Sequence, residues 1–340
     1  MISSTWRLWI TCAVLAMFLC APAGQAGQPG GDAAVKVFIL AGQSNMEGHG
    51  KVEKGHDNVE GGLGSLRHLA KAPETAWHYG DLLDANGNWR VRSDVWIWST
   101  TDGGEKGKLG VTFGARNFFG PELGFGHVVG NYYDDPILLI KTAWGGKSLA
   151  KDFRPPSSQG ETGPYYKEMI KEVKDVRGNL GERFPELQGR EYKIAGFGWH
   201  QGWNDLINDD FVKQYETNLT NLIQDVRADL GVKDLPVVIA NSGFAGWYAH
   251  GRQRHPGIIS AQGAVSDCTK HPEFAGTVAT VETRYFWRPA EVSPSGAGYH
   301  WNHNAESHML IGDHMGHAMI NLIEEQPHFL EHPNAGSGQK

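Results

Sequence analysis

Five short apolar runs, at residues 37–41, 136–142, 193–199, 236–240 and 277–281, constrain what this chain can become. Four are dense in Val, Ile, Leu or Ala, the run at 193–199 adds Phe197 and Trp199, and glycine or polar residues follow each within three positions. Runs of this length without polar alternation fit strands covered on both faces, as in a parallel sheet. Segments of helical period lie between them. Tyr166, Met169, Ile170 and Val173 share one face of a helix over 164–173 that Pro164 opens. Tyr215, Leu219, Leu222, Ile223 and Val226 do the same over 210–230, with Gly231 as the stop signal. A last helix runs through Ile323, and residues 94–98 offer a further short strand. The alternation predicts an α/β fold: a three-layer α/β/α sandwich around a central, mainly parallel five-stranded sheet, flavodoxin-like in layout. Right-handed crossovers then gather the strand ends at one edge, where such folds bind ligands.

The residues at those strand ends carry chemistry. The first run stops at Gly42, and Gln43-Ser44-Asn45-Met46-Glu47-Gly48 follows. A serine just past a strand and a glycine can face a cleft beside converging backbone amides, which acyl transfer requires. The same placement also suits a helix N-cap. Two better-known turns are excluded. A nucleophile elbow, G-x-S-x-G, would need glycine where Met46 stands. Gly146-Lys147-Ser148 copies the end of a phosphate-binding loop, but Lys141 stands where its first glycine belongs. The second run ends in Trp144-Gly145-Gly146, a turn that lets backbone approach a ligand. The third delivers His200-Gln201-Gly202-Trp203-Asn204-Asp205, and the fifth ends at Glu282. Residues 48–120 are mostly loop, a length that usually builds a site.

Gly42-Gln43-Ser44-Asn45-Met46 resembles the first block of the sialate O-acetylesterase-like branch of the SGNH hydrolase superfamily, which includes carbohydrate esterase family six. The likeness continues through three further blocks and covers roughly residues 35 to 324. It implies Ser44 as nucleophile and His300 as base. It also implies an oxyanion hole built from the Ser44 amide, a Gly145 or Gly146 amide and the Gln201 side chain. His300-Trp301-Asn302 ahead of the Ile311-Gly312 pair fits the histidine block, so His300 is preferred to His303. Two positions depart from the pattern. Trp203 replaces a glutamate of the third block, and Ala297 occupies the position of the acid that normally orients the histidine. Either a Ser–His dyad operates, or Glu282, Glu291 or Asp205 orients His300. Asn45, Trp144, Trp203 and Trp301 adjoin these motifs and are candidate substrate contacts. The resemblance implies removal of O-acetyl groups from carbohydrates. The alternatives are a carbohydrate-binding protein of weakened catalysis on the same fold, and an esterase for other acyl groups.

The remainder of the chain sets context. Residues 1–26 read as a bacterial signal peptide, with Arg7 ahead of an apolar stretch and Ala21-Pro22-Ala23 as a cleavage site. That predicts a secreted or periplasmic protein with no stable membrane anchor after cleavage. Residues 27–34 are a flexible lead-in, 35–325 a single domain and 326–340 a flexible tail. Cleavage would leave Cys268 alone, a buried bystander, so no internal disulfide is expected. A net charge of −7 argues against a nucleic-acid partner. Sixteen histidines raise a metal site, but no H-E-x-x-H or paired-cysteine pattern is present. No metal or cofactor is expected, and the expected partner is an acetylated carbohydrate.

Overall fold

The sheet has seven strands rather than five. A computed structural model describes residues 33–53, 62–248 and 255–325, so the expected signal peptide, most of the lead-in and the tail lie outside the described residues. The strands are β1 (Val35–Gly42), β2 (Val95–Ser99), β3 (Glu105–Lys108), β4 (Ile137–Ala143), β5 (Tyr192–His200), β6 (Val237–Ala240) and β7 (Val278–Val281). Their order is β3-β2-β4-β1-β5-β6-β7. All neighbours are parallel except β2 and β3. β2 is the short strand suspected at 94–98. β3 reads Glu-Lys-Gly-Lys and has no apolar signature, because a charged, exposed edge strand needs none and discourages further pairing.

β1 lies at the centre, and its side chains alternate between two cores. Phe38 and Leu40 face a core shared with the Pro121–Tyr132 and Ala305–Ile323 helices. Val37, Ile39 and Ala41 face the other, against helices Pro164–Gly178, Asp209–Leu230 and His255–Val265. The His255–Val265 helix has no strong apolar stripe in sequence, since Gly257 and Gly263 interrupt it. The Ile311-Gly312 pair gains a physical reason. A Cβ on Gly312 would sit 2.0 Å from the Pro121 carbonyl oxygen, so only glycine lets these two helices cross so closely. Cys268 is exposed rather than buried. Asn218, which opens an Asn-Leu-Thr sequence of the glycosylation type, is buried within its helix. No helix among the described residues is long and apolar enough to cross a membrane.

One polar group sits inside this frame. Lys141, on β4, is fully buried and pairs at 3.0 Å with Glu122, which is equally buried. Its ammonium also donates to the carbonyls of Glu47 (2.8 Å) and Phe113. Glu122 in turn accepts from the Gly120 amide at 2.8 Å. Three segments that surround Ser44 are thereby tied to one point. Glu122→Gln should destabilise the fold by about 3–5 kcal/mol, the usual result of stranding one buried charge. Urea denaturation measures it. The double variant Lys141→Met/Glu122→Leu should recover part of the loss but stay below the parent, because the Glu47 and Phe113 carbonyls lose their donor.

Candidate active site

Ser44 owes its position to crowding at the end of β1. A Cβ on Gly42 would lie 2.2 Å from the His200 carbonyl oxygen, so a side chain there would force β1 and β5 apart. The chain then turns into the short helix Ser44–Glu47. Gln43, not Ser44, is its N-cap residue, and no side chain caps it. The capping alternative for Ser44 therefore does not hold. Ser44 is the first helical residue, and its side chain lines a cleft of about 480 Å³ with His300, Asn45, Trp203 and Tyr299. The cleft lies beyond the carboxyl ends of β4, β1 and β5, where the strand order reverses from one side of β1 to the other.

Gln43 clamps two of those ends together. Its Oε1 accepts from Gln201 Nε2, Gly202 N and Asn204 N, each at 3.2 Å, and its Nε2 donates to Asn204 Oδ1 at 3.1 Å. Gln201 itself does not line the cleft and is 2% exposed. Its amide nitrogen also donates to Lys147 O (3.0 Å) and Asp205 Oδ2 (2.6 Å), while its oxygen accepts from Tyr215. Its amide nitrogen is thus engaged by acceptors within the turn, which Gln201 braces, and it stands behind the cleft wall. Asn204, which sequence reasoning passed over, does line the cleft. One of its amide hydrogens goes to Gly146 O at 2.8 Å, which leaves the second for a ligand. Its sequence signal was weak: a polar residue soon after a strand end.

The glycine turn after β4 reaches the cleft, with Gly145 and Gly146 both in its wall. The Glu47 carboxylate, however, lies against the Gly145 amide. Burial pushes the Glu47 carboxyl above its ordinary value, while this amide and Lys141 pull the other way. Asn45 is 5% exposed, and its side-chain oxygen has no hydrogen-bond partner among the described residues.

His300 arrives on a strained segment. Four consecutive non-glycine residues, His300, Trp301, Asn302 and His303, have φ between 50 and 58°. A left-handed turn of L-residues costs roughly 1–2 kcal/mol per residue, so the surroundings must enforce it. Trp301 is fully buried. The Asn302 side chain accepts from Gly298 N at 2.8 Å and donates to Arg288 O at 3.1 Å. Lys51 N donates to His303 O, and His303 Nδ1 meets His49 O, both at 3.0 Å. Burial, reinforced by His303, lowers the His300 pKa to about 4. Among the described residues, no hydrogen bond joins His300 to Ser44 or to a carboxylate, and active-site bonds often tighten only with substrate.

Two candidates for the missing acid are engaged elsewhere, and the third is exposed. Asp205 accepts from Leu149 N, Ala150 N and Gln201, and burial raises it to about 6. Glu282 binds Arg284 through both oxygens, at 2.8 and 2.6 Å. Glu291 and Ala297 are exposed. The tryptophans divide. Trp203 lines the cleft, whereas Trp144 packs on Tyr165 and Phe153 (ring centres 5.2 and 6.0 Å) and is no part of the wall. Trp301, at 0% exposure, is a core residue and not a substrate contact.

A serine presented by the central parallel strand, on a short helix instead of a sharp elbow, is the layout of the SGNH-type ester hydrolases. The chain belongs to the family described as carbohydrate esterase, sialic acid-specific acetylesterase, which matches residues 34–321, and it is a carboxylic ester hydrolase. A probable carbohydrate esterase of Arabidopsis thaliana is 26% identical over 217 residues, 63% of this chain and 71% of that protein. A solved Arabidopsis thaliana structure shares the fold with a TM-score of 0.52 at 18% identity, over 85% of this chain and 98% of its own. A carbohydrate acetylesterase from Xanthomonas citri does so with a TM-score of 0.50 at 16% identity, over 85% of this chain and 57% of its own.

The strained segment is testable. Asn302→Ala removes the two side-chain bonds that hold the turn, and should cost about 1–3 kcal/mol of stability in thermal or urea unfolding. If His300 is the base, the variant should also lower ester turnover more than it changes KM, since the turn that presents His300 to the cleft is loosened.

Proposed function

We propose that this chain is a secreted or periplasmic serine esterase that removes O-acetyl groups from carbohydrates. The observation that carries the reading is the placement of Ser44 and His300 on opposite elements of one cleft at the sheet edge. Ser44 Oγ attacks the acetyl carbonyl as His300 takes its proton, then the imidazolium protonates the departing sugar hydroxyl. Water repeats the sequence on the acetyl-enzyme. The Ser44 amide, in the first turn of its helix and without an intrahelical acceptor, faces the developing oxyanion. The free hydrogen of the Asn204 amide takes the place first expected of Gln201. The Gly145 amide joins them when the acyl oxygen displaces the Glu47 carboxylate. Trp203, Tyr299 and the unpartnered oxygen of Asn45 offer a sugar a stacking surface and an acceptor.

The capped Gly145 amide favours a second reading, a carbohydrate binder with weakened catalysis. The two separate on acetate release from acetylated xylans, pectins and sialates, since a pure binder releases none. Ser44→Ala should lower that release by about 10³-fold or more while the melting temperature stays near the parent's. Near-parental turnover in this variant would overturn the nucleophile assignment.

The base must be neutral to accept a proton, so activity is present above the His300 pKa and lost as pH falls through it. With that pKa at about 4, kcat/KM should hold well below pH 6.5, where an exposed imidazole of about that pKa would already be half protonated. A pH–rate profile whose acid limb sits near 6.5 would contradict the buried setting of His300.

A further inference from the structure

His300 lacks a carboxylate among the described residues, but its ring is not unsupported. The His49 imidazole stacks on it with ring centres 3.7 Å apart and planes within 10°. Tyr299 meets the His300 ring edge-on at 4.9 Å, and His303 stands across from it at 5.8 Å. Both stacked rings line the cleft with Ser44.

The His49 backbone is held independently of its side chain. Its carbonyl oxygen meets His303 Nδ1, while Gly50 and Phe119 exchange both backbone hydrogen bonds, at 2.8 and 3.1 Å. The ring itself is steadied edge-on by Phe118, 6.4 Å away.

We propose that His49 is the positioning residue for His300, doing in the hydrolysis proposed above the work that a carboxylate at position 297 would otherwise do. The inference rests on that reading. The flat face of His49 fixes the plane of the catalytic ring. When Ser44 Oγ bonds to the acyl carbon and its proton passes to His300, the π face of His49 lies against the new imidazolium, an arrangement that favours the cation. His49 neither gains nor loses a proton in the step. It must stay neutral, because two imidazolium rings stacked at this distance would repel. Its surroundings keep it so: burial first, then His300, His303, Arg116 and Lys141, lower its pKa to about 3. Tyr299 closes the side, and Glu47 is the carboxylate in the same cleft wall.

Three substitutions read the role. His49→Ala removes the face and admits water. His49→Leu fills the space without a π system, and His49→Phe keeps a flat ring that cannot titrate. With 4-nitrophenyl acetate as probe, Ala and Leu should each lower kcat by about 10- to 30-fold, the span of a desolvated cation–π contact, with little change in KM. Phe should recover most of that loss. The acid limb of the Ala variant should move up toward the solvated value of about 6.5, while that of the Phe variant stays low. A Leu variant as active as Phe, or an Ala variant with parental kcat and acid limb, would overturn the proposal. Proton NMR of the unsubstituted protein adds a readout independent of turnover and of variant folding. The ring protons of His300 and His49 should be shifted upfield by mutual stacking, and His49 should not titrate near neutral pH; unshifted rings would also overturn it. If the parent protein hydrolyses no ester while the rings are stacked, the esterase reading fails and the stack stands apart from it.

Discussion

The buried ammonium of Lys141 is the contact on which the site depends. Its acceptors, the Glu122 carboxylate and the carbonyls of Glu47 and Phe113, belong to three segments that the sequence separates widely. Removing a lysine from water is costly, and a single carboxylate would not offset the cost without further acceptors. Here every ammonium hydrogen has an oxygen to meet. The arrangement anchors the far end of the Ser44 helix, the start of the Pro121–Tyr132 helix and the loop between β3 and that helix. The helix at Ser44 has four residues and cannot hold its own shape. It is stable because Lys141 fixes its last carbonyl from below and Gln43 fixes its entry from the side.

Around that anchor the cleft is built from constrained backbone. Gly42 lets β1 and β5 converge, and the run from His300 to His303 is forced into a left-handed turn that L-residues resist. Such strain persists only where neighbouring bonds enforce it, and Asn302, Lys51 and the buried Trp301 supply them. The outcome is an imidazole held with little solvent and depressed basicity, in the same cleft wall as Ser44. A weak base is a poor proton acceptor on its own. In the proposed mechanism, the stacked ring of His49 and the closed surroundings support the imidazolium charge without an aspartate at position 297.

The fold was legible because its driving force is written in apolar periodicity. All five apolar runs became strands, and the helices at Pro164 and Asp209 began within a residue of where their caps and stripes put them. β3 was not legible, being a charged edge, nor was the glycine-interrupted His255–Val265 helix. In the site, Ser44, Asn45, Gly145, Gly146, Trp203 and His300 come together as the motifs suggested. Gln201, Trp144 and Trp301 stand outside its wall, because a motif records which residues stand near a strand end and not which way each side chain turns. Asn204, Glu47 and His49 escaped for the complementary reason. Their importance arises from contacts across the sheet edge, between segments with no shared local pattern.

Ser44 is the proposed nucleophile of this ester hydrolase. The most direct measurement is intact-mass and peptide mass spectrometry after brief treatment with an activated fluorophosphonate, which reacts with an activated serine and stays attached. A single adduct on the peptide carrying Ser44, lost when the labelling itself is run at a pH low enough to protonate His300, is the expected result. An unlabelled protein, or label on any other residue, would contradict the account.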